Sequence, residues 1–152
     1  MAQLDKNVPF ACHEWPLKRD YSRDEIRETP RREAGTGRTY TGQWLGDWGS
    51  GCPHGFGTME QKSGASYDGY FLYGKMHGMG RWFYNNGEVF YGNWKGNDPF
   101  VGLYLYRNGD MFNGEWRDEK PHGKGTQKYK NGEVMQGFWN SGKFAGIANV
   151  PK

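Results

Sequence analysis

The chain has 152 residues, of which 25 are glycine and 26 are aromatic (7 Trp, 10 Tyr and 9 Phe), whereas Ile, Leu and Val together number only 13. Any core must therefore be built mainly from rings beside glycines, unlike an ordinary core of branched aliphatic residues. The net charge of +3, from 20 basic and 17 acidic residues, is too small and too mixed to indicate a nucleic-acid-binding protein. Two cysteines cannot form a disulfide framework and are typical of a reducing compartment. No run approaches the ~18 apolar residues of a transmembrane helix and no signal-peptide segment follows Met1, so we expect a soluble, cytoplasmic chain.

The first predicted element is an N-terminal arm, residues 1–39, which is poor in glycine and rich in charge. The sequence Ser-Arg-Asp-Glu at 22–25 is a capping-box pattern, which predicts a short helix at about residues 23–29 that ends before Pro30. One helix this short is not stable alone. The arm is therefore either disordered or laid across a partner or across the first edge of the repeats that follow. The residues of the arm that are candidate partner contacts are Phe10, Trp15, Tyr21, Arg31 and Arg32.

Residues 40–146 repeat one pattern about five times. Each copy has a ring, any residue, a glycine, any residue and a second ring, and the copies begin at Tyr40, Tyr67, Phe90, Phe112 and Met135, where methionine replaces the first ring. A Gly-x-Gly pair follows the first, second and fourth copies, whereas the third is followed by the single glycine Gly102, and an Asn-Gly or Ser-Gly dipeptide comes next. The second glycine of the pair always precedes the dipeptide's glycine by seven residues, and the next ring-x-Gly glycine always follows five residues later. All variation in length falls between the second ring and the next Gly-x-Gly, so the constant part marks rigid hairpins and the variable part marks loops.

Asn-Gly between short aromatic runs is a strong hairpin signal, and it predicts a type I′ turn with positive φ at both central residues. Because side chains alternate along a strand, the two rings and the glycine between them share one face. That glycine leaves a slot across which a neighbouring ring can lie. Stacked hairpins then bury a ladder of rings, which predicts an all-β fold, an elongated single-layer antiparallel meander. The residues predicted to build the ladder are Tyr40, Gly42, Trp44, Tyr67, Gly69, Phe71, Phe90, Gly92, Trp94, Phe112, Gly114, Trp116, Gly137 and Trp139, with the pairs Gly55 and Gly57, Gly78 and Gly80, and Gly123 and Gly125.

The combination of Tyr-x-Gly-x-Trp, His-Gly-x-Gly and Asn-Gly at a period of about 23 residues resembles the MORN repeat (membrane occupation and recognition nexus). The resemblance covers residues 40–146 and leaves 147–152 as a C-terminal tail. It implies an elongated antiparallel β-meander used in scaffolding, dimerisation, membrane apposition and cytoskeletal or axonemal assemblies. The chain departs from the family pattern in two loops, where we expect contacts particular to this protein. The loop at 45–54 carries an insertion that contains Trp48, and the loop at 97–101 lacks the histidine signature and contains Pro99 and Phe100.

The residues with catalytic or metal-binding chemistry do not form a set. His54, His77 and His122 share one repeat position, so stacking separates neighbours by about 10 Å, whereas zinc needs its nitrogens ~2.0–2.1 Å from the ion. We interpret these histidines as fixing loops through side-chain hydrogen bonds. The Gly-x-Gly pairs lead into no helix, unlike a dinucleotide cradle, and no nucleophile-elbow, zincin or P-loop motif occurs. We therefore expect a protein that is not an enzyme and has no catalytic, cofactor-binding or metal-binding residues.

Two functions are consistent with this pattern. The leading hypothesis is a scaffold or adaptor subunit that mediates protein–protein contacts in a large cytoskeletal or ciliary (axonemal) assembly, with self-association through the end strand as a further contact. The alternative is a membrane-apposing module in which Lys124, Lys128 and Lys130 contact anionic phospholipids. Aromatic platforms for nucleic acid are disfavoured, because the rings recur with the repeat and are needed for the core.

Overall fold

The computed structural model describes residues 26–33, 37–46 and 51–147. In these residues eleven strands form one open antiparallel sheet in which every strand pairs with its neighbours in sequence, and there is no helix. The strands are β1 (Ile26–Glu33), β2 (Thr39–Leu45), β3 (Cys52–Glu60), β4 (Ser66–Leu72), β5 (Lys75–Phe83), β6 (Val89–Lys95), β7 (Asp98–Leu105), β8 (Met111–Arg117), β9 (Lys120–Lys128), β10 (Val134–Asn140) and β11 (Lys143–Gly146). The prediction of an all-β antiparallel meander is confirmed.

Strand β1 is the main part of the arm that the structure describes. Residues 26–29, which the sequence placed at the end of a short helix, belong to this strand and pair with β2, whereas residues 22–25 lie outside the described residues and the start of the helix stays a prediction. Without β1, strand β2 would present a row of unpaired backbone N–H and C=O groups at its edge. Pro30 lies where the register shifts between Thr29 and Arg32, a position at which a missing N–H costs no ladder hydrogen bond. This part of the arm therefore lies across the first edge of the repeats, one of the alternatives left open by the sequence.

The Asn-Gly dipeptides do connect hairpins, but their turns are not type I′. Gly87 has a φ of 89°, whereas Asn86 is not among the residues with positive φ. The Gly87 N–H donates to Tyr84 O at 3.1 Å and the Tyr84 N–H donates to Glu88 O at 2.9 Å, which closes a three-residue loop ending on a left-handed glycine. Asn86 serves through its side chain instead, since its Oδ1 accepts the Glu88 N–H at 2.9 Å. The asparagines of the next two turns make the same bond.

Type I′ turns occur at the opposite edge of the sheet, in the connections whose length the sequence shows to vary. The four two-residue turns in which both residues have positive φ are Tyr73-Gly74, Gly96-Asn97, Asp118-Glu119 and Ser141-Gly142. Such turns match the twist of the strands they join. We call this side of the sheet, where strands are joined by two-residue turns, the tight-turn edge, and the opposite side, which carries the Asn-Gly turns, the Asn-Gly edge. Both lie at the ends of the strands and not along an edge strand.

The core lies on one face of the sheet. Burial alternates along each strand, so that Tyr67 and Phe90 are fully buried while Asp68 and Tyr91 beside them are not. We call the face that carries the buried rings the inner face and the opposite one the outer face. Among the described residues, the outer face and the turns at both ends of the strands are therefore open to other molecules.

Candidate binding surfaces

The inner face is filled by a continuous chain of aromatic contacts. Within a repeat the two rings meet edge to face, as Phe90 and Trp94 do with 5.2 Å between centroids and 82° between planes. Between repeats the first ring meets the second ring of the next copy, as Phe90 and Trp116 do at 5.5 Å and 88°. Equivalent contacts join the other repeats. Edge-to-face pairs are worth ~0.5–1.5 kcal/mol beyond area burial, so each repeat is stabilised by the one that follows it.

The two kinds of repeat glycine have different roles. A Cβ on Gly102, which stands at the repeat position of the second glycine of the Gly-x-Gly pairs, would lie 2.7 Å from Cζ of Phe90, so the ring rests on this glycine. A Cβ on Gly92, between the two rings, would instead lie 2.5 Å from the Cα of Gly102 on the neighbouring strand and overlap the Val101 carbonyl. The prediction therefore assigned the slot for the ring to the wrong one of these two glycines, which face each other across β6 and β7. The glycine between the rings allows two backbones to approach each other.

The tryptophans add a hydrogen bond that the sequence pattern did not predict. The indole N–H of Trp116 donates to the carbonyl oxygen of Gly102, fourteen residues earlier, at 3.1 Å. The tryptophans of the third and fifth repeats make the same bond at 3.2 Å. Phe71 occupies this position in the second repeat and has no donor. The recurrence of Trp at this repeat position was the available signal, because a buried indole N–H requires an acceptor.

Pro99, predicted as a partner contact, belongs to the packing of the sheet instead. It is buried and lies opposite Trp94 across β6 and β7. Pro53 and Pro121 lie opposite the tryptophans of their own repeats in the same way. The recurrence of proline at this position indicates a structural role and could have been read from the sequence. Phe100 does remain 50% exposed, with Lys95 Nζ 5.5 Å from the centroid of its ring.

The Asn-Gly edge holds a buried carboxylate. Glu88 accepts hydrogen bonds from Tyr104 Oη at 2.8 Å, Asn86 Nδ2 at 2.9 Å and the Arg107 N–H at 3.3 Å. Burial alone would raise the pKa of Glu88, but these hydrogen bonds outweigh it and hold the pKa below its ordinary value. Glu88 therefore joins one hairpin turn to the next. Asp110 makes a more exposed version of the same link one repeat later.

The histidines act on the tight-turn edge. His54 Nδ1 accepts the Tyr73 N–H at 3.0 Å, and His122 Nδ1 accepts the Ser141 N–H at 3.2 Å. The prediction that histidine fixes a loop by hydrogen bonding is confirmed for these two residues, while His77 makes no such bond within the described part of the chain. Burial lowers the pKa of His54, which favours the neutral ring that can accept this bond. Over the described residues, no group of three or more His, Cys, Asp or Glu side chains is placed to hold a metal ion.

The outer face exposes large apolar side chains on β3 to β7. Phe56 and Tyr70 are 48% and 52% exposed, and their rings meet edge to face at 5.5 Å. Tyr91, on β6, is 47% exposed. We call this surface the outer apolar patch, and its members are Phe56, Tyr70, Met79, Phe83, Tyr91 and Leu105. Large apolar side chains exposed on one face mark a candidate interaction site.

On β8 and β9 the outer face becomes basic. Alternation places four cations there, opposed on the same two strands by the carboxylate of Glu115. We call this surface the basic patch, and its members are Arg117, Lys120, Lys124 and Lys128. The structure thus brings together two of the three lysines predicted to contact lipid. Lys130 lies instead in an Asn-Gly turn, where its N–H donates to Asp110 at 2.8 Å.

Several other predicted contact residues cannot be placed or have other roles. Arg31 forms an exposed ion pair with Glu60 at 3.0 Å, and Arg32 pairs with Tyr40 in the β1–β2 ladder. Cys52 is fully buried. The predicted contact residues that lie outside the described part of the chain are Phe10, Trp15, Tyr21 and Trp48.

The described residues include no helix long and apolar enough to cross a lipid bilayer. None of the family models and curated proteins with which the chain was compared matches it. Function must therefore be inferred from the surfaces themselves and from the repeat pattern.

Proposed function

We propose that the chain is a MORN-repeat protein that acts as a non-enzymatic scaffold or adaptor and holds protein partners in a large cytoskeletal or ciliary (axonemal) assembly. The observation that carries this proposal is the unequal use of the two faces of the sheet. The inner face is occupied by ring–glycine packing between repeats, whereas the outer face leaves apolar side chains such as Tyr70 and Tyr91 about half exposed. A repeat sheet of this kind offers an extended surface to another macromolecule.

The arm supplies a second contact in this proposal. Phe10, Trp15 and Tyr21 are the apolar residues of the arm before β1 that we expect to meet a partner. Replacing all three by alanine should reduce the fraction of the protein found in its assembly while leaving the β1–β11 sheet folded, as followed by circular dichroism. Undiminished assembly of this variant would remove the arm from the proposal.

Cross-linking in an extract of the native cells tests the proposed function directly. The endogenous protein is cross-linked through its lysines, purified under denaturing conditions and identified with its neighbours by mass spectrometry. We expect reproducible cross-links to one fixed set of proteins and sedimentation well ahead of a 17.5 kDa monomer. A protein that sediments as a free monomer in that extract, without reproducible neighbours, is not a scaffold subunit.

We place the protein in the cytoplasm, at the cytoskeleton or cilium, on the family resemblance. The redox state of Cys52 tests this placement, because free thiols are typical of a reducing compartment and disulfides of an oxidising one. Trapping thiols at the moment of lysis and labelling them after denaturation distinguishes the two compartments. A free Cys52 thiol supports the cytoplasm, and an oxidised one places the protein in an oxidising compartment.

A second candidate function, apposition to an anionic membrane, is favoured by the basic patch. Four cations on one face reach the lower end of the 4–8 basic residues typical of an anionic-lipid site, each worth about 1 kcal/mol near the surface. Sedimentation with phosphatidylserine vesicles tests it: binding should weaken at high salt and be lost in Lys124→Glu/Lys128→Glu. The control variant Lys62→Glu/Lys143→Glu changes the net charge equally at exposed positions outside the patch. Equal binding by both variants would exclude the patch as a lipid site.

A further inference from the structure

Cross-strand pairing arranges part of the outer face in a row perpendicular to the strands. Phe83 on β5 pairs with Val89 on β6, Val89 with Leu105 on β7, and Leu105 with Met111 on β8. Neighbouring strands lie about 4.8 Å apart, so these four apolar residues span about 14 Å. Tyr91 lies one outward position along β6 from Val89 and widens the apolar surface. The result is a straight apolar stripe and not a set of scattered side chains.

The stripe meets positive charge at Lys128 on β9, beyond which the exposed Val134 on β10 is apolar again. Met111 pairs with Lys128 on β9, so the row passes directly from apolar residues into the basic patch. The carboxylates near the other end are already matched, since Asp68 pairs with Arg81 at 2.8 Å and Glu60 forms an ion pair with an arginine of β1. Electrostatic complementarity therefore favours a partner that is apolar over β5 to β8 and acidic over β9.

We propose that the outer face binds an amphipathic α-helix of a partner protein, with apolar side chains against the stripe and acidic side chains against Lys124 and Lys128. This rests on the proposed scaffold function and specifies the partner that it holds. An extended segment lying flat on this surface would leave its backbone N–H and C=O groups against rings without partners, whereas a helix satisfies them internally. The helical pitch of 5.4 Å is also close to the strand spacing, so successive turns meet successive strands. About three turns cover the stripe and one more reaches β9.

The polar groups within this surface favour a protein over a membrane. The Asp68–Arg81 ion pair and Asn93 lie on the outer face of the same strands as Tyr70, Met79 and Tyr91. Inserting these rings into hydrocarbon would also desolvate the ion pair and the amide, at a cost of several kcal/mol for each buried ion in the usual case. A helix leaves such groups at its margin, where water or its own polar side chains can reach them.

Two synthetic peptides of about 18 residues test the proposal. Both carry the same leucine stripe at helical spacing, but one has glutamate and the other lysine in the final turn and on the flanks. Each labelled peptide is titrated with the full chain and followed by fluorescence anisotropy. We expect the glutamate peptide to bind at least ~10-fold more tightly than the lysine peptide, which is about 1.4 kcal/mol. Equal affinity of the two peptides would overturn the assignment of charge.

Variants of the chain locate the binding site. Phe83→Ser/Tyr91→Ser should weaken the glutamate peptide ~10-fold or more, because aromatic anchors carry much of the energy of an interface. Asn113→Ser/Gln136→Ser, at exposed outer-face positions beside the stripe, is the matched control and should bind as the wild type does. Lys124→Glu/Lys128→Glu should reverse the preference between the peptides. Unchanged binding by Phe83→Ser/Tyr91→Ser, with circular dichroism confirming that it is folded, overturns the proposal.

Two other occupants are separated by the same variants. If the wild type binds phosphatidylserine vesicles and Phe83→Ser/Tyr91→Ser does not, the stripe is assigned to a membrane. If the wild type is a dimer in sedimentation equilibrium and this variant is a monomer, the stripe is assigned to a second copy of the chain. Either result overturns the helix proposal. If this variant stays in the native assembly, the stripe is not the contact although the scaffold function stands. If the wild type enters no assembly, the scaffold function itself fails, whatever the peptides show.

Discussion

The ring-on-glycine contact between Phe112 and Gly125 can be tested by a double-mutant cycle. A Cβ on Gly125 would overlap the end of the Phe112 ring, and its next two contacts are ring carbons at 2.8 and 3.0 Å. Gly125 has no positive φ, so Gly125→Ala introduces overpacking without backbone strain. Overpacking of a core costs typically ~1–3 kcal/mol. At roughly 2–4 °C per kcal/mol for a chain of this size, Gly125→Ala should lower the Tm by about 2–12 °C.

Shortening the ring should relieve the clash. Phe112→Leu removes edge-to-face contacts with Trp116 and Trp139, each worth ~0.5–1.5 kcal/mol. In the double variant the alanine methyl no longer meets the ring, so the total loss should fall short of the sum of the single losses by about 1 kcal/mol or more. Urea unfolding followed by tryptophan fluorescence measures these free energies, with an unchanged m value required for the comparison.

Gly114→Ala is the informative counterpart, since Gly114 faces Gly125 across β8 and β9. A Cβ there would lie 2.5 Å from the Cα of Gly125 and overlap the Lys124 carbonyl, both of which are backbone. Phe112→Leu should therefore give no rescue. Additivity within ~0.5 kcal/mol for the Gly125→Ala pair, or equal rescue of both alanines, would refute the distinction between ring-bearing and backbone-bearing glycines.

Three further changes test the edges of the sheet. Glu88→Ala leaves Tyr104 Oη and a backbone N–H without their acceptor and should lower the free energy of unfolding, measured in urea, by about 1–3 kcal/mol. The control Glu133→Ala, at the exposed equivalent position, should lower it by almost nothing. Equal losses in the two variants would contradict the buried network. The lowered pKa of His54 means that, as the pH falls, this residue is protonated in the unfolded chain before it is protonated in the folded one. The contribution of His54 to stability is therefore complete above pH ~6.5 and is lost as the pH falls below that value. The free energy of unfolding of His54→Asn should vary less between about pH 7 and pH 5 than that of the wild type. Ser141 has a φ of 50°, and Asn-Gly suits a type I′ turn better than Ser-Gly does. Ser141→Asn should therefore raise the free energy of unfolding by about 0.5 kcal/mol or more. A neutral or destabilising result would contradict the turn assignment.

The parts of the fold that the sequence predicted are those set by local spacing. The seven-plus-five spacing of glycines fixes where each hairpin begins and turns, and alternation fixes which rings share a face. The turn type was wrong because Asn-Gly is compatible with two loops that differ by one residue in length. The structure shows the longer loop, in which the asparagine acts through its side chain. Local sequence does not distinguish these loops, since the choice depends on the strand register on both sides.

Other features depended on contacts between distant residues. The pairing of β1 with β2 joins Ile26 to Leu45 across a separation that no local pattern reveals. Part of the basic patch was also missed. Lys124 and Lys128 stood out as a lysine-rich run, but Arg117 and Lys120 join them only because β8 and β9 pair. The structural role of Pro99, by contrast, was readable from the recurrence of proline in three repeats.

The repeats themselves indicate which surface distinguishes this protein. The tight turns leave little freedom, since the second residues of three of them (Gly74, Asn97 and Gly142) donate backbone hydrogen bonds to strands already in the sheet. The first inner position of the five repeats varies only among rings and methionine, as the packing requires. The outer positions on the two sides of the repeat glycine vary in chemistry between copies, so the packing of the repeats does not require rings there: the residues are Thr41 and Gln43, Asp68 and Tyr70, Tyr91 and Asn93, Asn113 and Glu115, and Gln136 and Phe138. Stability therefore does not explain why Tyr70 and Tyr91 are exposed near the centre of the sheet. The apolar outer face is better explained by a partner than by the fold.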